Sequence, residues 1–406
     1  MKKNYYFLIF AVFAISLNVQ SQTWSVLSSG TSQSLYGISP LTSNNAISVG
    51  DNQTLVKTSN QGTMWTSQIL GSSFFARCLE FTSSTVGFAG GSDGGSVQYI
   101  YKTIDGGLSW SIVKTGTPAA IYGISFLDAS TGYAVCSSPG TSFIYKTTDG
   151  GSSWGSLGNS GISNWMKQIK AIDANNVICV GTGGKIQRSS DGGTNWTTSN
   201  NGTYDLTGIS FPTSSIGYIC GFGGKIMKSI DGGNSWNTLS IASSMNFYSI
   251  DFIDVNRGFV VGQNGAIFYT SDAGATWTSQ TSGTSNILIA VNFYDQNLGY
   301  ACGTNGTILK YHNNVSVEEV ENDLQFSVYP NPTNGTLNVN YLSEANENYS
   351  IMIYDQIGKV VFLEKEIEFN GTNTIQIDLS NFSNGMYFVK LQNKNTSSVK
   401  RINLNK

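Results

Sequence analysis

The chain has few of the residues on which most enzymes and nucleic-acid-binding proteins rely. Its 406 residues include one histidine, His312, and charged residues make up only 12% of the total. One histidine leaves no material for a Ser-His-Asp triad or a histidine-rich zinc site. A formal net charge of −3 argues against nucleic acid or an anionic membrane surface as a partner. We therefore assign no catalytic residue and predict no metal site and no cofactor.

Glutamates are scarce as well, because Glu80 is the sole one between residues 22 and 312. The carboxylate pair of a polysaccharide-acting glycoside hydrolase could come only from Asp residues outside the repeats described below. This hydrolase remains an alternative to a non-catalytic protein. The candidates for such a pair are Asp51, Asp93, Asp128, Asp173, Asp205, Asp251, Asp254 and Asp295.

Long apolar runs are also few. One run, residues 7–17, follows two N-terminal lysines and precedes Val19-Gln20-Ser21. It is shorter than the roughly 20 residues that a membrane span needs. A basic start, a short apolar run and a small-residue cleavage site are typical of a secretory signal peptide. We therefore predict a signal peptide at residues 1–21 and no integral membrane segment after its removal.

The five cysteines of an exported chain raise the question of disulfides. Cys179, Cys220 and Cys302 fall at matching positions of three repeats, and Cys136 is one residue out of line. Equivalent positions of neighbouring repeats are expected to lie beyond the roughly 7 Å Cα separation that a disulfide spans. We therefore predict buried free thiols.

The chain does have a nine-residue sequence that recurs. KTIDGGLSW, residues 102–110, returns as KTTDGGSSW, RSSDGGTNW and KSIDGGNSW, with weaker copies at KTSNQGTMW and YTSDAGATW. The closing tryptophans are 40 to 45 residues apart. A period in the forties with short β-type segments is typical of propeller blades. The five copies that keep the aspartate contain Asp105 and Trp110, Asp149 and Trp154, Asp191 and Trp196, Asp231 and Trp236, and Asp272 and Trp277.

Each copy combines a turn with a core residue. The Asp105 carboxylate is placed to accept hydrogen bonds from turn N–H groups, while Gly106 and Gly107 allow positive φ. Trp110 opens the next strand and offers a large apolar area to the space between blades. The distant glutamate of an EF-hand calcium loop is missing. We therefore predict that these aspartates hold turns and that the tryptophans are core residues.

The sequence supplies strands for seven blades. Seven strands of the Gly-Tyr or Gly-Phe type recur, but the last unit, residues 303–314, has no Trp box. Trp24 lies 41 residues before Trp65, in register with the boxes. We predict that the strand around Trp24 completes the seventh blade and protects the sheet edges from aggregation. The predicted fold is all-β, with a seven-bladed β-propeller at residues 22–312.

This repeat resembles the Asp-box (BNR) repeat of sialidases, sortilin-type receptors and the photosystem II assembly-factor family. Its spacing is most similar to the seven-bladed, photosystem II assembly-factor-like branch. The resemblance covers residues 24–312 and implies that the box is a structural hairpin at the periphery, away from the binding face. Sialidases use an arginine cluster, whereas this propeller has three arginines. The resemblance therefore carries the fold rather than an activity.

Candidate ligand residues come from one column of the repeat. Repeated positions of a propeller lie on one ring, so we expect this column to share a surface near the channel mouth. Aromatic and Arg residues are frequent anchors of protein interfaces, and planar rings also stack on sugars. The alternative is that the tyrosines are blade core with hydroxyls at the rim. The column contains Tyr36, Arg77, Tyr122, Lys167, Thr207, Tyr248 and Ile289, of which Tyr36, Arg77, Tyr122, Lys167 and Tyr248 are the candidate ligand-binding residues.

The composition changes after the propeller. Residues 313–325 are polar and acidic, which predicts a linker. Residues 326–406 alternate strands with turn signals, which predicts a small antiparallel β-sandwich. They resemble the type A C-terminal sorting domain of the type IX secretion system of Bacteroidota. The matching motif residues include Pro330, Asn331, Pro332, Gly335, Gly358, Gly385, Tyr387 and Lys390.

The sorting resemblance implies transport across the outer membrane by the type IX secretion machinery, followed by release or attachment at the cell surface. Together these features predict a secreted or cell-surface propeller that binds a glycan or protein ligand without catalysis. The alternatives are the glycoside hydrolase with Asp pairs at the channel mouth and an assembly factor for a surface protein complex.

Overall fold

The structure is a computed structural model that describes residues 21–71, 73–95, 97–116, 119–138, 140–159, 164–314, 326–356, 358–393 and 397–406. It divides into two compact units, residues 1–314 and 315–406. The predicted signal peptide up to residue 20, and the predicted linker from residue 315, lie outside the described residues.

The first unit consists of seven four-stranded antiparallel sheets. The first strand of the chain is β1 (Ser21–Leu27). Blade 1 contains β2 (Leu35–Pro40), β3 (Ala46–Gly50), β4 (Thr54–Thr58) and β5 (Thr66–Ile69). Blade 2 contains β6 (Phe75–Phe81), β7 (Gly87–Ser92), β8 (Gln98–Thr103) and β9 (Ser111–Gly116). Blade 3 contains β10 (Ala120–Phe126), β11 (Gly132–Ser138), β12 (Thr141–Thr147) and β13 (Gly155–Asn159).

The remaining blades repeat this plan. Blade 4 contains β14 (Met166–Ala171), β15 (Val177–Gly181), β16 (Lys185–Ser189) and β17 (Thr197–Asn200). Blade 5 contains β18 (Leu206–Ser210), β19 (Gly217–Gly221), β20 (Ile226–Ser229) and β21 (Asn237–Leu239). Blade 6 contains β22 (Phe247–Phe252), β23 (Gly258–Gly262), β24 (Ile267–Thr270) and β25 (Thr278–Gln280). Blade 7 contains β26 (Leu288–Phe293), β27 (Leu298–Gly303) and β28 (Ile308–Asn314). Short 3-10 turns occur at Thr182–Gly184, Gln263–Gly265 and Thr304–Gly306.

The N-terminal strand closes the ring. In blade 7 the strand order is β1-β28-β27-β26, and β1 pairs with β28 over its whole length, with Trp24 opposite Tyr311. The Trp24 indole meets Phe259 of blade 6 edge-on, with ring centroids 5.7 Å apart. The prediction that this strand completes the seventh blade is confirmed.

The apolar cores lie between neighbouring blades. The second strand of each blade carries a large side chain that is at most 1% exposed, and these side chains pack against the next blade. Phe88 stacks on Phe126 of blade 3 at 4.4 Å, and Tyr218 stacks on Phe252 of blade 6 at 3.5 Å. The seven side chains are Ile47, Phe88, Tyr133, Ile178, Tyr218, Phe259 and Tyr300.

The boxes form tight turns at the outer ends of the third strands. Oδ1 of Asp105 accepts hydrogen bonds from the backbone N–H groups of Leu108 and Ser109, both at 3.0 Å. The hydroxyl of Ser109 donates to the other carboxylate oxygen at 2.5 Å, and these bonds hold the pKa of Asp105 well below its usual range. Gly106 and Gly107 adopt φ of 68° and 80°. Trp154 is buried, whereas Trp110, Trp196, Trp236 and Trp277 are partly buried against the blade cores.

All five cysteines are buried and unpaired with one another. Cys220 and Cys302 lie opposite Gly208 and Ala290, which are equivalent positions of two blades. The expected match of Cys179 to these two is wrong, because Cys179 lies opposite Ile169, one residue out of register. Successive side chains of a strand point to opposite faces, so Cys179 faces the other side of its blade.

The second unit is a five-stranded antiparallel sheet. It contains β29 (Phe326–Tyr329), β30 (Thr336–Tyr354), β31 (Val360–Asp378), β32 (Gly385–Gln392) and β33 (Ser397–Leu404). The order is β29-β30-β32-β33, and β31 pairs with β30. Register shifts interrupt the long β30–β31 ladder, and residues of all five strands share one apolar core.

Candidate functional site

The aligned column of the seven blades lines a cavity on the propeller axis. The first strands of all seven blades contribute to this cavity of about 500 Å³. Every column residue is half-buried and sits at a register shift between its own strand and the next one, as Tyr36 does between Leu35 and Gly37. A β-bulge redirects a side chain away from its strand's alternation. Seven equivalent bulges therefore place Tyr36, Arg77, Tyr122, Lys167, Thr207, Tyr248 and Ile289 around one opening.

Arg77 is held by blade 1. Its Nη1 lies 3.0 Å from Oδ1 of Asp51, and the Tyr36 hydroxyl donates to the other Asp51 oxygen at 3.2 Å. The guanidinium carbon is 4.4 Å from the centroid of the Tyr36 ring. Burial raises the pKa of Tyr36, with Arg77 opposing the rise, so its hydroxyl is a neutral donor at physiological pH. Asp51 therefore orients Arg77 and offsets its charge.

Lys167 lies among aromatic rings of blades 3 and 4. Its Nζ is 4.1 Å from the ring centroid of Trp165 and 5.6 Å from that of Tyr122. The two rings meet edge to face at 5.3 Å. Among the described residues, no acceptor lies within hydrogen-bonding distance of the ammonium and no carboxylate lies within 4 Å. Burial lowers the pKa of Lys167, and Asp205 opposes this effect.

The opposite side of the cavity is less polar. Tyr248 packs edge-on against Phe222 at 5.4 Å, and Ile289 of blade 7 completes this side. The Thr207 hydroxyl is engaged, since it donates to the carbonyl oxygen of Phe247 at 2.8 Å. We use the name mouth for the residues of this paragraph and of the preceding two that line the cavity. They are Tyr36, Arg77, Tyr122, Trp165, Lys167, Thr207, Phe222, Tyr248 and Ile289.

A charged layer lies below the mouth. Glu80, Lys170, Asp251 and Asn292 line both the first cavity and a second one of about 490 Å³, and we call these four residues the waist. Oδ2 of Asp251 accepts a hydrogen bond from the backbone N–H of Phe293 in blade 7 at 2.9 Å. Burial raises the pKa of Asp251 to about 6 and also raises that of Glu80, while Lys170 opposes both shifts. With two carboxylates and one ammonium, the waist is negative overall when all three groups are ionised.

Three residues around the mouth were absent from the candidate ligand-binding residues, although Asp51 was named as a candidate hydrolase carboxylate. Of the eight tryptophans, Trp165 alone lies outside both the boxes and the N-terminal strand. This departure from the repeat could have identified Trp165 as a candidate site residue. Phe222 and Asp51 occupy the turn after the second strand, where other blades carry Thr182, Gln263 or Thr304. Their contact with the mouth depends on how the turns fold back, which the strand alignment does not contain.

The aspartates considered for a hydrolase are mostly engaged in turns. Oδ1 of Asp128 accepts from the N–H groups of Ser130 and Thr131, both at 2.7 Å, and the same arrangement occurs at Asp173, Asp254 and Asp295. Asp205 accepts from the N–H of Gly183, and Asp51 is paired with Arg77. Of this set, only Asp251 lines either axial cavity without belonging to a turn that it caps.

In the second unit, the predicted sorting motif surrounds the last strand. Asn331 donates from Nδ2 to the carbonyl oxygen of Arg401 at 2.8 Å and accepts from the N–H of Asn403 at 2.9 Å. Both Pro330 and Pro332 follow cis peptide bonds. Gly335, Gly358 and Gly385 have positive φ, the Tyr387 hydroxyl donates to the Ser383 carbonyl, and Lys390 pairs with Met352 and Val399.

The family comparisons agree with both units. The family described as photosynthesis system II assembly factor YCF48 matches residues 16–162 and 197–268, more than half of the chain. The family described as secretion system C-terminal sorting domain matches residues 327–405. No curated protein matches the chain in sequence. Within the described residues, no helix combines the length and hydropathy needed to cross a membrane.

Solved structures share the propeller fold. A YCF48 structure bound to a D1 peptide is 23% identical and covers 71% of this chain and 96% of its own, with a TM-score of 0.59. YCF48 from Cyanidioschyzon merolae is 18% identical, covers 71% and 99%, and has a TM-score of 0.58. The WD40 propeller domain of Doa1 is 14% identical, covers 71% and 96%, and has a TM-score of 0.56.

The C-terminal match indicates export across the outer membrane by the type IX secretion machinery, to the medium or the cell surface. Its partner in that step is the secretion machinery itself. By its repeats, its seven-bladed ring and the match over more than half of its length, the chain belongs to the YCF48 family of photosynthesis system II assembly factors, here joined to a type IX secretion C-terminal sorting domain.

Proposed function

We propose that the exported propeller binds a segment of another protein at the mouth and leaves that segment chemically unchanged. The observation that carries this proposal is the ring of bulges, which brings two cations and three tyrosine rings to one axial opening. Tyr, Trp and Arg are the residues most enriched at the energetic centres of protein interfaces. A concave site of a few hundred Å³ with a few polar groups is also the usual form of a ligand pocket.

Two further points support a peptide over the other candidates. One YCF48 structure contains a bound D1 peptide, so a propeller of this family has bound a peptide. The hydrolase gains no support from geometry, because most of its candidate aspartates cap turns. A glycan remains a competing ligand, since tyrosine rings also stack on sugars. The sorting domain indicates export across the outer membrane, so we expect the binding to occur at the cell surface or in the medium.

The test compares two ligand classes on the mature chain, residues 22–406. The immobilised protein is incubated with a library of capped peptides and, separately, with a panel of neutral and acidic polysaccharides. Retained ligand and newly formed chain ends are measured in the same samples. We expect peptides to be retained without cleavage, and we expect retention to fall at least tenfold in Arg77→Gln with Lys167→Met.

The matched control is Lys114→Met. Lys114 lies on the outer strand of blade 2, its Nζ packs over Tyr145, and it does not line the cavity. The substitution Lys114→Met therefore removes a cation from the propeller without changing any residue of the mouth. Retention of polysaccharides alone, or release of new chain ends that the double variant abolishes, would overturn the proposal.

A further inference from the structure

The mouth has two unlike sides. The charged groups and their partners belong to blades 1 to 4, with Tyr36, Arg77, Tyr122, Trp165 and Lys167. The apolar groups belong to blades 5 to 7, with Phe222, Tyr248 and Ile289. Neighbouring blades in sequence are packed side by side around the ring. In a ring of seven, blade 7 lies across from blades 3 and 4, so Ile289 stands opposite Tyr122 and Lys167.

The charged side presents unpartnered donors, and one unpartnered acceptor, Oε1 of Gln168, also lines the cavity. Among the described residues, the Lys167 ammonium and the Tyr122 hydroxyl, which both line the cavity, donate to no protein acceptor. The indole of Trp165 lies against Tyr122, and its Nε1–H faces the Tyr122 hydroxyl oxygen, so it is not a free donor. Arg77 uses one of its five N–H donors, on Asp51, and both Asp51 oxygens are already occupied by Arg77 and Tyr36. The two cations and the Tyr122 hydroxyl therefore fit a ligand group that accepts hydrogen bonds.

The charge of the mouth fits one negative charge. Arg77 is paired with Asp51, whereas the Lys167 ammonium has no carboxylate within 4 Å among the described residues and feels Asp205 only from farther away. Desolvated ammonium groups favour an anionic partner, and hydrogen bonds between charged groups are about twice as strong as neutral ones. The waist below is negative overall, so an anion is repelled from going deeper. A phosphate, with nearly two charges, matches this site less well than a carboxylate.

From this arrangement we propose that the ligand group seated in the mouth is a carboxylate with an apolar side chain beside it, the carboxylate on Lys167 and the apolar group against Ile289, Phe222 and Tyr248. This inference rests on the proposed peptide-binding function and adds the chemistry of the bound group. Acidic sugars carry a carboxylate but no comparable apolar group, so they fill only one side. The carboxylate can be a chain terminus or an acidic side chain.

The experiment uses the mature chain and four small probes, followed by ligand-observed NMR titration. The probes are N-acetyl-Gly-Leu, its C-terminal amide, N-acetyl-Glu-Leu-amide and D-glucuronate. We expect at least one of the two carboxylate-bearing leucyl probes to bind ten times more tightly than the uncharged amide and than glucuronate. Which of the two binds more tightly tells a chain terminus from an acidic side chain.

Variants separate the two sides of the mouth. Lys167→Met is expected to remove the preference for acid over amide, and Lys167→Arg is expected to retain it. Ile289→Asn is expected to weaken every leucyl probe and to leave glucuronate unchanged. Thermal melting of each variant confirms that the fold is intact.

The outcomes distinguish this inference from the proposed function. Equal binding of acid and amide, both lost in Ile289→Asn, keeps peptide binding and overturns the carboxylate inference. If glucuronate binds as tightly as the leucyl acids, the part of the inference that requires an apolar side chain is overturned. Failure of all probes together with failure of the peptide library overturns both.

Discussion

The Nζ atom of Lys102 donates a hydrogen bond to the carbonyl oxygen of Gly150 at 2.7 Å, which ties the box of blade 2 to the box of blade 3. The same bond joins Lys57 to Gly106, Lys146 to Gly192 and Lys228 to Ala273 in the neighbouring blades. In blade 4, Nε of Arg188 donates the equivalent hydrogen bond to the carbonyl oxygen of Gly232. In the five boxes that open with a cation, this cation is therefore a link between blades, and the turn of the next box supplies its acceptor.

Removing one such link should weaken the ring. Lys102→Met leaves the Gly150 carbonyl without its charged donor, and bonds of this kind contribute about 1.5–3 kcal/mol. Because Lys102 is partly exposed, we expect a loss of about 1–2 kcal/mol in the free energy of unfolding, measured by urea denaturation. Lys225→Met, which removes an ammonium bonded to Thr238 of its own blade, should stay within about 0.5 kcal/mol of the wild type. Equal stability of the two variants would contradict the link.

Much of this fold could be predicted from the sequence, for a physical reason. Each blade buries its faces only against its neighbours, so the same residues recur at the same spacing, and Trp24 in that spacing was enough to predict ring closure. The link from Lys102 to Gly150 could not be predicted, because nothing in the repeat shows which carbonyl faces the ammonium. The predicted register of Cys179 was wrong for a related reason. A shift of one residue in a strand cannot be recognised without knowing the strand it pairs with.

The candidate site divides in the same way. Tyr122 and Lys167 could be placed on one ring, because the same position of each sequence repeat lies at the same place in each blade. The bulge that turns each of these side chains into the cavity depends on the register of strand pairing. That register could not be predicted from the sequence. Trp165 and Asp51 lie in turns, where blades differ in length and the alignment carries no information.

Closure of the ring gives a second prediction. Trp24 is 7% exposed and packs edge-on against Phe259 and Phe293. Trp24→Ala removes this aromatic contact and leaves a cavity, so we expect a loss of about 3–5 kcal/mol in the free energy of unfolding.

Val26, on the same strand, is 54% exposed and provides the control. Val26→Ala should change the stability by less than about 0.5 kcal/mol. Because a loosened β1 uncovers the edge of β28, the Trp24 variant should also aggregate faster on mild heating, as followed by light scattering. A Trp24→Ala protein as stable as Val26→Ala would show that β1 does not close the ring.

The waist gives a prediction about pH. The pKa of Asp251 is raised to about 6 by burial, against about 3.9 in an unfolded chain. Between these two values the folded state binds the proton more tightly, so the contribution of Asp251 to stability is greatest at low pH and falls as the pH rises through about 6. Above that pH the cost is fully present. Glu80 and Lys170 face the same space, and Lys170 reduces the cost without removing it.

Asp251→Asn keeps an oxygen for the N–H of Phe293 and removes the charge. We therefore expect the variant to be more stable than the wild type above pH 6, by on the order of 1–3 kcal/mol, and to lose its advantage towards pH 4. Melting temperatures from pH 4 to 8 test this. A constant difference between the two proteins across that range would place the cost elsewhere than in the Asp251 charge.

The sorting unit gives the last prediction, at Asn331. Its side-chain amide pairs with β33 as a neighbouring strand would, donating to the carbonyl of Arg401 and accepting from the N–H of Asn403. Exposed strand edges recruit other strands, and proteins usually cover them.

Asn331→Asp keeps the acceptor but sets a carboxylate oxygen against the Arg401 carbonyl. We expect β33 to open more readily, with hydrogen exchange at the Asn403 amide faster by about fivefold to tenfold, equivalent to about 1 kcal/mol. Asn381→Asp, an exposed change of the same kind, should leave that exchange rate unchanged. If exchange at Asn403 is the same in both variants, Asn331 does not protect the edge, and the motif must serve the secretion machinery by direct contact instead.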